Sequence, residues 1–262
     1  MTTTADILIL GVVQGLTEFL PVSSSGHLVL AKSLLGLKTP EGALLEVVLH
    51  TGSMLSIAVY YRQRLRELVL GMLQRERVAW GMAVNILVAA IPVLLVYPLL
   101  GKRIEALFGQ PWMTAALICV TGLVLLSTRF APAGKALPRP RSALVMGLAQ
   151  AVALLPGISR SGSTLAAARW QGLAPAAAAE LSFLMVLPLL AGATLLHVRE
   201  ALDPAVQTVL PPAALAGGLV VSALVGYGAL ALLVRVFSGA RFYLFGVYCL
   251  LVGILGLYFL QR

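Results

Sequence analysis

Six apolar runs close to bilayer length, at about residues 43–61, 79–100, 112–128, 176–197, 213–236 and 242–260, limit what this chain can fold into. A helix needs roughly 20 predominantly apolar residues to cross about 30 Å of hydrocarbon. So many runs of that length exceed what buried helices of a soluble domain require. The composition agrees: 60% of residues are hydrophobic and 11% are charged, with a mean hydropathy of +0.96. Ordinary globular domains are about half apolar and about a quarter charged. The expected fold class is an all-α polytopic membrane protein, a single integral membrane domain over 1–262.

Two further segments fit neither a span nor a loop. Residues 5–36 are too long for one crossing and too short for two, and break at Pro21 through Gly26. Residues 143–172 behave alike and break at Pro156 through Gly162. Irregular backbone at membrane depth survives only where protein or a water-filled cavity surrounds it, so each segment reads as a re-entrant helix-loop-helix hairpin. Loop charge tests this. Arg62, Arg64, Arg66, Arg75 and Arg77 fill loop 62–78, and Arg129, Lys135, Arg139 and Arg141 fill loop 129–141. Two spans separate these loops, and an excess of Lys and Arg marks the cytoplasmic side. Placing Arg235 and Arg241 on that side as well requires 143–172 to cross an even number of times, as a hairpin does. Arg169 joins them, while Lys32, Lys38, Lys102, Arg103, Arg199 and Arg262 fall outside. The first hairpin, flanked by Lys32 and Lys38 alone, is not decided by charge.

The expected architecture is six transmembrane helices plus two opposed re-entrant hairpins. One hairpin and three spans recur, and three crossings being odd, the halves are inverted. The pseudo-repeats run over about 1–128 and 142–262, joined by a cytoplasmic linker at 129–141. Such repeats bring broken helices together near the bilayer midplane. Gly15-Leu16-Thr17-Glu18 before Pro21 echoes Gly147-Leu148-Ala149-Gln150 before Pro156.

The net charge of +9 reflects basic residues spread between apolar runs, with few aromatics interleaved, so nucleic acid is not an expected partner and bilayer lipid is. Cys119 and Cys249 lie in apolar runs as lipid-facing or packing residues. The start MTTTADILIL has no positive n-region, so no cleaved signal peptide is expected.

The polar residues concentrate in the two breaks. The first reads EFLPVSSSGH, residues 18–27. Glu18 is an intramembrane acid, which is costly and must face protein or water; it serves either as a functional group or as partner to an arginine. Gln14, four residues earlier on the same face, can pack helices through a hydrogen bond or reach the site. Ser23, Ser24 and Ser25 exceed what one helix cap needs, and His27 can carry a proton near neutral pH. The second break reads PGISRSGST, residues 156–164. Its helix start offers N–H groups and a positive dipole end to an anion. Arg160 adds a planar fork of donors matched to phosphate, and Ser159, Ser161, Ser163 and Thr164 surround it with hydroxyls. The GxxxxGK[ST] pattern is absent. An acid, a histidine, candidate serine nucleophiles and an arginine in an anion nest suit phosphoryl chemistry on a lipid-borne phosphate.

At these residues the sequence resembles the bacterial undecaprenyl-diphosphate phosphatase family, also called bacitracin-resistance proteins. QGLTEFLPVSSSGHL (14–28) and PGISRSGST (156–164) carry the resemblance, supported by LLEVVLHTGSMLSIAV (44–59) and AELSFLMVLPLLAGA (179–193). It implies six spans with two opposed hairpins in the bacterial cytoplasmic (inner) membrane, and a site opening to the periplasm. The implied reaction is hydrolysis of undecaprenyl diphosphate to undecaprenyl phosphate and inorganic phosphate, which recycles the lipid carrier of peptidoglycan synthesis and confers bacitracin resistance. By motif position Glu18 resembles the essential acid, Ser24 the nucleophile, His27 the acid/base, and Arg160 with Ser159 and Thr164 the diphosphate clamp; Gln14, Ser23, Ser25 and Ser161 join the substrate-binding set. The motif's first acid position is Gln14 here. A divalent cation, Mg²⁺ or Ca²⁺, is therefore expected on Glu18 only with help from the substrate diphosphate and water. Glu46 and His50, four apart, sit farther out or make ordinary polar contacts, and His197 lies at a span end. Two other readings follow from the residues: a polyprenyl-phosphate transporter or flippase, because broken midplane helices suit transport, and an intramembrane peptide hydrolase using Ser24 or Ser25 with His27, which leaves Arg160 without a task. A covalent phosphoserine, direct attack by water, and a homodimer all stay open.

Overall fold

A computed structural model of the protein describes residues 3–34, 36, 44–201, 211–237 and 241–260, with backbone alone over 196–201. The expectations for Lys38, Arg262 and the side chains of His197 and Arg199 lie outside the described residues. Among those residues the secondary structure is α-helical apart from one short 3₁₀ turn and a single β-bridge, from Ala136 to Leu173.

The first hairpin is α1 (Thr4–Phe19) and α2 (Ser24–Leu34). Thr3 and Asp6 start α1 with a capping box: the Thr3 hydroxyl accepts the Asp6 N–H at 3.2 Å, and Asp6 accepts the Thr3 N–H at 2.7 Å. The second hairpin is α7 (Pro140–Val152) and α8 (Arg160–Trp170). Between them lie α3 (Leu44–Tyr60), α4 (Arg62–Leu73), α5 (Arg77–Phe108) and α6 (Pro111–Ser127). After the second hairpin come α9 (Pro175–Leu184), α10 (Leu187–Ala201), α11 (Pro212–Phe237) and α12 (Leu244–Leu260).

Where described, all six apolar runs are mainly helical. Arg77–Phe108, Pro111–Phe130, Pro175–Leu195 and Pro212–Phe237 are each long and apolar enough to cross a bilayer, and α3 joins them when counted with α4 across a 71° bend. The sixth run, α12, is a 17-residue apolar helix. Pro188 lies just past the turn at 185–186 that separates α9 from α10; its missing N–H removes the bond to the carbonyl four residues back.

Segment 62–78, expected as a basic loop, is largely helix. α4 turns Leu68, with Leu65 and Met72, onto Ala79 and Leu184, leaving Arg62, Arg66 and Leu73 exposed. Charge density concealed a helix whose apolar positions follow the 3.6-residue period. Arg64 bridges from it to α9, its Nε donating to Glu180 at 2.6 Å.

The hairpins pack reciprocally: α1 lies along α11, while α7 lies along α5; α3 also lies along α11, and α6 pairs with α12. Without a hydrophobic force between helices in lipid, close approach of small residues does this work. A Cβ on Gly15 of α1 would stand 2.8 Å from the Ser222 carbonyl of α11, and one on Gly11 would meet the Gly218 carbonyl at the same distance. Tight packing along these seams sets where α1 ends, and therefore where Glu18 sits.

Candidate active site

The first break is built around Ser23, whose φ of 72° lies in the left-handed region. This conformation costs a non-glycine residue about 1 kcal/mol or more, and local bonds compensate. The Ser23 hydroxyl accepts the Gly26 N–H at 3.2 Å, and its carbonyl accepts the His27 N–H at 3.1 Å. The sharp turn folds Ser24, first residue of α2, back toward α1. Its hydroxyl donates to Glu18 Oε2 at 2.6 Å.

The second break is seated on α6. Gly157 (φ 98°) rests against the Thr114 carbonyl, where a Cβ would collide. Thr121 donates to the Gly157 carbonyl at 2.8 Å and accepts the Ser159 N–H at 3.0 Å. Ser159 then caps α8 by accepting the Gly162 N–H at 3.0 Å. This places Arg160 in the first helical turn, and its guanidinium crosses to the other hairpin, Nη2 donating to Glu18 Oε1 at 2.6 Å. Arg160 Nη1 is buried without a hydrogen-bond partner among the described residues.

Glu18 is the hub. Oε1 takes Arg160; Oε2 takes Ser24, takes the Gln14 amide at 3.0 Å, and lies 3.4 Å from Nε2 of His50 on α3. Gln14 Nε2 also reaches Ser53 Oγ at 3.4 Å, and Ser53 meets Ser222 of α11 at 3.2 Å. The Glu18 side chain is only 6% exposed, so its charge is held by these donors and not by water.

The other expected residues occupy defined places. Ser25 accepts the Gly157 N–H at 3.5 Å, and Ser161 donates to the Leu20 carbonyl at 3.3 Å, so these two hydroxyls stitch the breaks together. Thr164 donates within α8 and pairs with Ser182 at 2.6 Å. His27 does not contact Glu18. Its Nδ1 meets the Ser23 carbonyl at 2.8 Å and its Nε2 meets the Tyr248 hydroxyl at 2.9 Å, the two rings lying parallel. A carbonyl only accepts, so Nδ1 carries the proton, and in the neutral ring Tyr248 donates to Nε2. Cys249 is buried against the Pro21 carbonyl, a packing residue.

His50, Ser53, Ser222 and Tyr248 belong to the site and were not expected as its core. His50 is the one with a sequence signal, an ionisable residue inside an apolar run. Lys32 and Glu46 form an ion pair between α2 and α3 above it. Among the described residues no three His, Cys, Asp or Glu side chains converge as a metal cluster. Gln14 Oε1 is nonetheless a buried acceptor without a partner, next to Glu18.

The assembly can hold an anion on a guanidinium, present a hydroxyl already bonded to a carboxylate, and exclude lipid. A family model described as bacitracin resistance protein BacA matches residues 7–255. The undecaprenyl-diphosphatase of Salinibacter ruber is 40% identical, over 97% of this chain and 98% of its own. That of Desulfosudis oleivorans is 38% identical over 94% of each, and that of Korarchaeum cryptofilum 36% identical over 95% of this chain and 97% of its own. With both breaks and nearly every helix inside the matched region, this chain belongs to the BacA bacitracin-resistance family.

Proposed function

We propose that this protein hydrolyses undecaprenyl diphosphate to undecaprenyl phosphate and inorganic phosphate at a membrane-embedded site, recycling the lipid carrier of cell-wall synthesis and conferring bacitracin resistance. The observation that carries the reading is the Ser24–Glu18–Arg160 chain, with hydrogen bonds of 2.6 Å on both sides of the carboxylate. The named relatives point to the same reaction. Ser24 is the nucleophile of choice because Ser23 is spent on capping and Ser25 on the Gly157 N–H.

In this scheme Ser24 Oγ forms a bond to the terminal phosphorus while the bridging P–O bond breaks and undecaprenyl phosphate leaves with the bridging oxygen. The Ser24 proton passes to Glu18. Water then attacks the phosphoserine; Glu18 returns its proton to Ser24 Oγ and takes one from the water, whose oxygen ends in inorganic phosphate. Arg160 Nη1, without a hydrogen-bond partner among the described residues, is the donor left for the phosphoryl oxygens. His27 and Tyr248 flank the start of α2 and orient it. Ser159, Ser161 and Thr164 hold the second break in shape. Glu18 and the orphaned Gln14 Oε1 are the residues that would hold a Mg²⁺ or Ca²⁺ ion together with the substrate, and the ion would neutralise diphosphate charge.

The reading places the protein in the bacterial cytoplasmic membrane with the site open to the periplasm. It treats 1–128 and 142–262 as inverted halves, an arrangement the reciprocal packing of α1 on α11 and α7 on α5 supports. The test is phosphate release by purified protein from undecaprenyl diphosphate, with the lipid product identified. No release by the unaltered chain overturns the proposal, and release by Ser24→Ala at the normal rate overturns the choice of nucleophile.

A further inference from the structure

We propose that Arg129, Arg169 and Arg241, gathered where α6, α8 and α11 end and α12 begins, form a binding site for the phosphate of an anionic phospholipid. The site is separate from the one around Glu18: Arg160 opens α8 and Arg169 lies in its last turn, on the order of 13 Å farther along the axis. The inference stands apart from the phosphatase reading.

Aromatic rings at the junction of α11 and α12 hold the arginines. Phe237 and Phe242 meet edge to face, their centroids 4.8 Å apart. The Arg169 guanidinium lies over both, 5.8 Å and 6.0 Å from the two centroids, and its Nη1 donates to the Phe237 carbonyl at 3.5 Å. The next residue, Tyr243, carries the guanidinium of Arg129, 5.6 Å from its ring centroid. Arg241 precedes Phe242 and is exposed. Trp170 ties α8 to the end of α6, its Nε1 donating to Ser127 at 3.2 Å. An aromatic face attracts a guanidinium without neutralising its charge, and three helix C-termini favour cations at this level.

No acid answers this charge. Residues 106–179 and 204–262 contain neither Asp nor Glu, and among the described residues none of the three arginines is in an ion pair. Arg64 on α4 makes the contrast, since Glu67 and Glu180 both bind it. Arg169 Nε is a buried donor with no hydrogen-bond partner among the described residues, a group whose need a bound anion can meet. The surroundings select a lipid over a soluble anion. Trp170 and Tyr243 are the amphipathic aromatics found at headgroup level. Beside them α6 and α12 expose Leu123, Leu244 and Val247, apolar surface on which acyl chains lie while the phosphate meets the guanidiniums. Arginine matches phosphate oxygens with a planar fork, and basic pockets between helices at a membrane face take lipid headgroups. A soluble phosphate would use the charges and leave the apolar surface idle.

The test titrates purified, delipidated protein in a neutral detergent with lipid and counts bound molecules by native mass spectrometry. Phosphatidylglycerol should bind at least tenfold more tightly than phosphatidylcholine, whose phosphate carries its own cation. Each arginine near an anionic headgroup is worth about fivefold, so Arg129→Gln/Arg241→Gln should weaken phosphatidylglycerol about 25-fold. Both residues are exposed, so this variant leaves the packing of Arg169 intact. Lysine at the same two positions keeps the charge without the fork and should recover part of the loss. Arg66→Gln removes an exposed arginine of α4 and should change the affinity by less than twofold. Equal affinity for the two lipids overturns the inference. So does an equal loss from Arg66→Gln, because the charge of the whole face would then be at work. A double variant that binds phosphatidylglycerol as tightly as the unaltered protein removes the site. Displacement of the lipid by excess inorganic phosphate overturns the choice of a lipid as its ligand. None of these outcomes depends on phosphate release.

Discussion

Replacing Arg160 by alanine separates what the ion pair does for the fold from what it does for chemistry. Glu18 and Arg160 side chains are 6% and 13% exposed and meet at 2.6 Å. Removing one member of a buried pair leaves the other charge uncompensated, at a cost of about 3–5 kcal/mol. The remaining donors to Glu18, Ser24 and Gln14, are neutral, and His50 can share only part of the load. Arg160→Ala should therefore lower the unfolding midpoint of detergent-solubilised protein markedly, and Glu18→Gln/Arg160→Ala should recover at least about 2 kcal/mol of that loss because the orphaned charge is gone. Activity should not follow. Loss of a fixed donor to developing phosphoryl charge costs about 10²–10³ in rate, so both variants should lie at least ~10²-fold below the unaltered protein in phosphate release. Two results would refute the reasoning: a single variant as stable as the parent, which would mean Glu18 is not held as a buried anion, or a single variant turning over within tenfold of normal, which would mean the guanidinium does not meet substrate.

Among the three serines, Ser24→Ala should cut kcat by about 10²-fold or more, while Ser25→Ala, which loses two long bonds, to the Gly157 N–H at 3.5 Å and to Ser23 Oγ at 3.3 Å, should stay within tenfold; comparable losses in both would return the nucleophile to an open question. Gly15→Val should destabilise the protein by more than 2 kcal/mol on the order of other overpacked cores, since its Cβ would sit 2.8 Å from the Ser222 carbonyl; an unchanged melting midpoint would show that α1 and α11 have room to part. Chelation should abolish phosphate release and added Mg²⁺ or Ca²⁺ restore it, with Gln14→Ala needing a higher ion concentration; full activity in chelator would remove the cation from the scheme.

The two breaks were legible because Pro, Gly and Ser at membrane depth have few structural explanations, and the need of a mid-membrane arginine for an anion already suggested Glu18 for Arg160. The choice among three adjacent serines was not legible. It depends on the left-handed φ of Ser23, which turns Ser24 and not its neighbours toward α1. His50 read as an outlying residue because a helical face can be inferred from spacing, whereas which neighbour that face meets is decided by the packing of α3 beside α1. The partner of His27, Tyr248, lies 221 positions away and left no local trace. Segment 62–78 was misread as a loop because its arginines outweighed a short amphipathic period.

The Arg160–Glu18 bridge joins residues 142 positions apart in the chain. During synthesis the acid and its serine therefore enter the bilayer long before the guanidinium exists. A nascent chain halted after α6 holds an intramembrane carboxylate without the Arg160 guanidinium. The insertion of the second hairpin is thus an electrostatic event as well as a topological one: it brings the guanidinium to a buried carboxylate and joins the two breaks in the same movement.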